Sequence, residues 1–167
     1  MQAYNTIKYE SPIGSILLVA NGGFITGLYF DANAPAMFSA SSSLDCGVLK
    51  EATRQLDAYF SGTLQKFDLP IAAHGTPFRM SVWQELQRIP YGATISYKAL
   101  ANNIGNPRAI RAVGGANHHN PVSIIIPCHR VVGANGKLVG YGGGLHVKEF
   151  LLAHEASNTL QDKADLV

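Results

Sequence analysis

The sequence predicts a two-part chain: an α/β N-terminal lobe, with an antiparallel sheet and one helix, followed by an α-helical C-terminal domain containing a helix-turn-helix. Three observations carry this. The first thirty residues break into short β-rich runs separated by turn residues. From Thr76 onward, helix caps, prolines and glycines divide the chain into short helices. The charge also changes sign: residues 1–74 balance at −2, 75–155 at +5 and the last twelve at −1, for a net +2. A basic block hidden in a nearly neutral chain points to nucleic acid. The 167 residues are 47% hydrophobic and 14% charged, which excludes a disordered chain. No apolar run reaches the ~18 residues of a membrane span.

The elements follow in order. Tyr4–Tyr9, Ser15–Ala20 and Phe24–Phe30 read as a meander, broken by Ser11-Pro12-Ile13-Gly14 and Asn21-Gly22-Gly23. Ala34–Ser43 is small and polar, a loop. Leu44, Val48, Ala52, Leu56, Tyr59 and Phe60 recur at helical spacing up to Gly62. Phe67, Leu69 and Ile71 alternate as one more strand, and Ala72–Thr76 reads as a hinge, giving domains 1–74 and 75–167. Thr76-Pro77 is an N-cap with proline at N1, and Phe78, Val82, Leu86 and Ile89 form one face up to Pro90. Ser96 caps a helix over Tyr97–Ile104. Asn106-Pro107 restarts a helix through Asn117 that carries Arg108 and Arg111 among small residues. Two short helices around a glycine turn form a helix-turn-helix pattern. A glycine-rich loop, Gly140–Gly144, precedes an amphipathic helix over Val147–Glu155.

Two cysteines, Cys46 and Cys128, exclude a disulfide framework, and no secretory leader is visible. A reducing, cytoplasmic setting is expected. The six histidines and two cysteines form no CxxC or HExxH spacing, so a local zinc motif is absent; no metal and no cofactor are expected. Cys128 lies in Ile124-Ile125-Ile126-Pro127-Cys128-His129-Arg130-Val131-Val132. An apolar run delivers it to a proline-stiffened bend beside a histidine and an arginine. A cysteine in an apolar run is usually packing. The neighbours favour a nucleophile instead, since cationic groups and a paired base promote the thiolate.

Pro127-Cys128-His129-Arg130-Val131 resembles the active-site signature of the methylated-DNA–protein-cysteine methyltransferases, the O⁶-alkylguanine-DNA alkyltransferases. Gly75-Thr76-Pro77-Phe78, Val82-Trp83, Ile89-Pro90-Tyr91-Gly92, Ser96-Tyr97, Arg111-Ala112-Val113-Gly114, Asn120-Pro121 and Leu151-Leu152-Ala153-His154-Glu155 follow in the family's order. The resemblance covers Gly75–Glu155. The first lobe resembles the family only in its strand-then-helix pattern.

The resemblance implies a winged helix-turn-helix and a DNA repair protein acting on duplex DNA that contains alkylated guanine, with alkylthymine as a second substrate. The family's cysteine displaces guanine from the alkyl carbon, and the resulting thioether ends the protein's activity. By resemblance, Cys128 is the nucleophile. His129 and Glu155 activate it through a bound water, and Asn120 organises the turn. Tyr97 donates to the departing guanine. Arg111 fills the stack left by the flipped base, which costs a few kcal/mol to extrude. Ala109, Ala112 and Gly114 are small enough for a minor groove. Ser123, Val131, Tyr141 and Gly142 fall at pocket positions. Gly140 and Gly142 replace asparagine and serine of the best-known members, which bears on pocket width. A monomer is expected. On the residues alone, Glu155 reads as a solvated position near a helix end. A cysteine hydrolase, a non-catalytic winged-helix regulator and an alkyltransferase-like protein that binds lesions without repairing them are the competing readings, the last of which lacks the reactive cysteine that this chain has. Turnover would mark the first, and indifference to Cys128→Ala the second.

Overall fold

The computed structural model describes residues 4–38 and 46–165. The described chain separates into two compact units: residues up to His74 together with Pro121–Ile125, and Gly75–Asn120 together with Ile126 onward. Five residues from within the second unit's stretch of sequence therefore group with the first.

The first unit is an antiparallel three-stranded sheet with a helix, as the sequence predicts. Strands β1 (Asn5–Ser11), β2 (Gly14–Asn21) and β3 (Phe24–Phe30) pair in sequence order. Asn5 faces Ala20 and Ser11 faces Gly14, so only Pro12 and Ile13 turn the first hairpin. Gly22 and Gly23 turn the second, both at positive φ, the conformation a two-residue hairpin of right-handed twist requires. One sheet face buries Ile16, Leu18 and Ile25 completely. Helix α1 (Gly47–Phe60) packs on all three strands with Leu49, Ala52, Leu56 and Tyr59 buried. The Tyr9 hydroxyl donates to Asp57 at 2.7 Å and fastens helix to sheet. Leu44 and residues 39–43 of the expected loop lie outside the described residues, and a short 3-10 turn occupies Ala36–Phe38.

The alternating Phe67, Leu69 and Ile71 do not form a full strand. Only Ile71 pairs, in parallel, with Ile25. Pro70 lacks an N–H for the ladder, so its carbonyl alone serves, taking Ile25 N–H at 2.8 Å. Gln55 pins the same stretch by accepting from Asp68 N–H and donating to Asp68 O.

The second unit is helical. Helix α2 (Pro77–Leu86) begins as expected, with the Thr76 hydroxyl accepting from Arg79 N–H and proline at the first position. Its Trp83 indole donates to Ala116 O at 2.8 Å. A two-residue strand β4 (Ile95–Ser96) leads into α3 (Tyr97–Asn103), whose cap Ser96 accepts from Ala99 N–H. Gly105, at φ +76°, ends it.

Helix α4 spans Ile110–His118 and not the expected Asn106–Asn117. Ala109 N–H donates to Asn106 O at 3.0 Å. Pro107 thus takes the second position of a β-turn, where its fixed φ fits equally well. Arg108 and Ala109 consequently precede the helix, while Arg111, Ala112 and Gly114 lie on it. Strand β5 (Val131–Val132) pairs in parallel with β4. The last helix, α5 (Leu145–Asp165), extends ten residues beyond the expected Glu155. No helix among the described residues is long and apolar enough to cross a membrane.

Candidate active site

The stretch before Cys128 is a sequence of tight reversals. Ile125 N–H donates to Ser123 O at 2.8 Å around Ile124, whose φ is +71°. That is a γ-turn of the strained hand, on a β-branched residue. Cys128 N–H donates to Ile126 O at 2.8 Å around Pro127 at φ −81° and ψ 65°, the relaxed inverse γ-turn. Asn120 Nδ2 donates to Ile126 O at 2.8 Å, and Asn117 Nδ2 to Cys128 O at 3.3 Å. Two buried amides thus hold the backbone of a 3-10 turn, Cys128–Arg130, in which all three residues are buried. Cys128 is 3% exposed, and neither it nor Cys46 forms a disulfide.

His129 and Glu155 are fully buried, with Nε2 and Oε1 2.7 Å apart. Arg130 completes the cluster with Nε on Oε2 and Nη2 on Oε1, both at 2.9 Å. Its Nη1 donates to Ile89 O at 2.7 Å, and Gly92 N–H donates to Glu155 Oε2 at 3.2 Å. Burial alone would push the Glu155 carboxyl up, but hydrogen bonds from His129 and Arg130 overcome it and hold the group at about 2. It is therefore a carboxylate that only accepts, and His129 Nε2 must carry the proton between them. Burial pushes the imidazole below its ordinary range; Arg130 and Lys148 add to this, against Glu155. His129 is thus a neutral ring whose Nδ1 carries the lone pair, with no hydrogen-bond partner among the described residues.

A cavity of about 340 Å³ is lined by Tyr97, Ile110, Arg111, Gly114, Val139 and Gly140, with Asn117 and His118. Cys128, His129 and Glu155 are not in its lining, and Asn117 connects it to the Cys128 carbonyl. Its lining is mostly apolar, and Arg111 brings a guanidinium to it. The Tyr97 hydroxyl donates to Val139 O at 3.5 Å, and Lys148 Nζ donates to the same oxygen at 3.0 Å. Lys148 Nζ also lies 5.9 Å from the centre of the Tyr97 ring. Burial raises Tyr97, and charge on Cys128 raises it further. Burial lowers Lys148, and charge on Cys128 opposes that. The cysteine thus interacts electrostatically with both a phenol and an ammonium.

The sequence and the fold have counterparts among known proteins. The family model described as "6-O-methylguanine DNA methyltransferase, DNA binding domain" matches residues 77–157, and the one described as its "ribonuclease-like domain" matches 5–73. A methylated-DNA–protein-cysteine methyltransferase of Methanosarcina mazei is 56% identical over 160 residues, covering 93% of this chain and 98% of that one. The chain belongs to the methylated-DNA–protein-cysteine methyltransferase family. The methyltransferase of Methanosarcina acetivorans is 50% identical over 150 residues, covering 89% and 96% of the two chains. Among solved structures, the O⁶-methylguanine methyltransferase of Mycobacterium tuberculosis is 46% identical with a TM-score of 0.84, over 95% and 94% of the chains. The M. tuberculosis OGT in complex with DNA has a TM-score of 0.83 at the same identity, over 93% and 94%.

Set on this methyltransferase, the residues expected from sequence divide. Cys128, His129 and Glu155 belong to one buried cluster or its turn, Asn120 holds that turn, and Tyr97, Arg111 and Gly114 line the cavity. Ala112 is exposed on α4. Ser123, Val131, Tyr141 and Gly142 are not among the cavity's lining residues. Val131 is buried in β5, and Ser123 belongs to the first compact unit. Val139 and Gly140, just upstream of the expected loop positions, line the cavity instead. Lys148 escaped the sequence reading of the methyltransferase site, and Arg130 entered it only as a cationic neighbour of Cys128, not as a partner of Glu155. The only signal for Lys148 is its place three residues before Leu151, which is buried on α5, where a lysine ordinarily snorkels.

Proposed function

We propose that this methyltransferase removes alkyl groups from the six-position oxygen of guanine in duplex DNA by transferring them to its own Cys128. The observation that carries this reading is the buried bond from His129 Nε2 to Glu155 Oε1 at 2.7 Å, which leaves His129 Nδ1 as a base on the residue next to Cys128. The Cys128 S–H bond breaks and its proton passes to His129 Nδ1, through a water in the family's mechanism. The sulfur lone pair attacks the alkyl carbon. An S–C bond forms as the C–O bond breaks, and its electron pair leaves with guanine, which takes a proton from the Tyr97 hydroxyl; the proton held on His129 returns through solvent to the phenolate. Base-assisted activation of a nucleophile has this form. The thioether has no easy hydrolysis, so each chain acts once.

Helices α3 and α4 act as a winged helix-turn-helix, with α4 in the minor groove. Ala109, Ala112 and Gly114 keep its approach close, and Arg111 occupies the stack vacated by the flipped base, offsetting part of its cost of a few kcal/mol. Asn120 keeps the turn that presents the sulfur. Residues 1–74 serve as scaffold, and 75–167 bind DNA and carry out transfer. The protein works as a monomer in the cytoplasm.

Intact mass after incubation with a duplex containing O⁶-methylguanine tests this. One added methyl on Cys128 is expected, never more than one per chain, and none in Cys128→Ala. Turnover beyond one lesion per protein, or methylation confined to Cys46, would sink the assignment.

A further inference from the structure

Arg130 touches no reacting atom in the proposed transfer, yet it makes three of the bonds that define the site. Nε and Nη2 each hold one Glu155 oxygen at 2.9 Å, and Nη1 holds Ile89 O at 2.7 Å. The Tyr91 ring lies under the guanidinium, 5.6 Å from Cζ. Oε1 of Glu155 is shared by Arg130 and His129, and Oε2 by Arg130 and Gly92 N–H. Each carboxylate oxygen thus takes two donors, which is its capacity.

This sharing sets the charge of the whole cluster. A buried group of ions is tolerated when its charges cancel and its hydrogen bonds are filled. Arg130 already cancels Glu155. The charged groups facing the imidazole are Glu155 and Lys148 from α5 and Arg130 from its own turn, so two of the three are positive. A proton on His129 would therefore add an uncompensated cation in a fully buried place. Without Arg130 the reverse holds: the carboxylate would keep its charge, and the imidazole bonded to it would take up a proton to cancel it.

We propose that Arg130, clamped by the Ile89–Gly92 turn, is a positioning residue that keeps His129 a neutral imidazole at rest, with Nε2–H on Glu155 and the Nδ1 lone pair left for the Cys128 proton. A standing imidazolium has no lone pair and cannot take that proton. The inference rests on the reading of His129 as the group that activates Cys128.

Nitrogen NMR of the full chain, labelled at histidine and observed near neutral pH, decides it. In the unsubstituted protein, His129 is expected to carry hydrogen on Nε2 alone. Arg130→Met gains a proton at Nδ1. Arg130→Lys keeps the charge without the bidentate fork, and its His129 stays neutral. A merely structural role for Arg130 would not separate the Lys from the Met variant in this way. An imidazolium in the unsubstituted protein overturns the proposal, and that measurement depends on no variant folding. So does a neutral ring in a folded Arg130→Met. Methyl transfer to Cys128, measured on the same unsubstituted sample, keeps the two readings apart. Transfer with a standing imidazolium fails the inference and the base role of His129 while leaving alkyl transfer to Cys128 intact, and a neutral His129 without transfer fails the assignment of function alone.

Discussion

Replacing Glu155 with glutamine keeps the side chain's shape and removes its charge. Its consequence for stability can be worked from the cluster. The carboxyl falls from an ordinary 4.5 to about 2 in the folded protein, a difference equivalent to about 3 kcal/mol at neutral pH. Glutamine also leaves Arg130 without its buried counter-ion, and breaking such a pair costs about 3–5 kcal/mol. The two figures describe one interaction from two sides, so Glu155→Gln is expected to lower stability by about 3–5 kcal/mol near pH 7. The sign of the pH dependence follows from a depressed group. The stability is fully present above the unfolded carboxyl's range and is lost as pH falls towards the folded value. The unsubstituted protein should therefore forfeit about half of the 3 kcal/mol by about pH 3, whereas the glutamine variant has no such term to lose. Urea unfolding of both proteins at the two pH values measures the gap. A gap below about 1 kcal/mol near pH 7, or one that does not narrow on acidification, would refute the account of Glu155 as a paired buried anion.

Two further substitutions probe neighbouring parts of the site. Lys148→Met removes the ammonium that interacts with charge on Cys128. The pH at which Cys128 reacts with iodoacetamide should move up, and an unmoved profile would show that the ammonium does not favour the thiolate. Gly92 has φ +78°, and a Cβ there would collide with the Thr159 hydroxyl. Gly92→Ala should lower stability by about 2 kcal/mol or more on thermal unfolding. Adding Thr159→Ala should recover the collision but leave about 1 kcal/mol of backbone strain, so full recovery would contradict the strain.

Elements bounded by residues of single meaning were legible in the sequence. Asn21-Gly22-Gly23 admits little but a hairpin, and Thr76-Pro77 is both cap and first helical position. Where one residue serves two local structures, the reading failed. Asn106-Pro107 suits a helix start and a β-turn alike, and the contacts of the fold chose the turn. Phe67, Leu69 and Ile71 alternate as a strand does, but Pro70 denies the ladder a donor. The site followed the same division. Cys128 stands out because its chemistry and its bend coincide in one segment. Glu155 reads as solvated near a helix end until the chain brings it 26 positions back to His129, where it is fully buried. Arg130 sits beside His129 in sequence, but adjacency does not reveal that both bond one carboxylate. Lys148 looks like any lysine on an amphipathic helix. Its reach to Val139 O, nine residues upstream, depends on the loop between them.

Trp83 is the only tryptophan in the chain. Its indole N–H ends on the backbone of α4, at Ala116. A buried indole needs such a partner, and its emission responds to that bond and to the polarity around it. The protein therefore carries one intrinsic optical reporter, tied to the helix that bears Arg111. A shift of α4 would alter a single fluorescence signal, with no label attached and no second indole to confuse it.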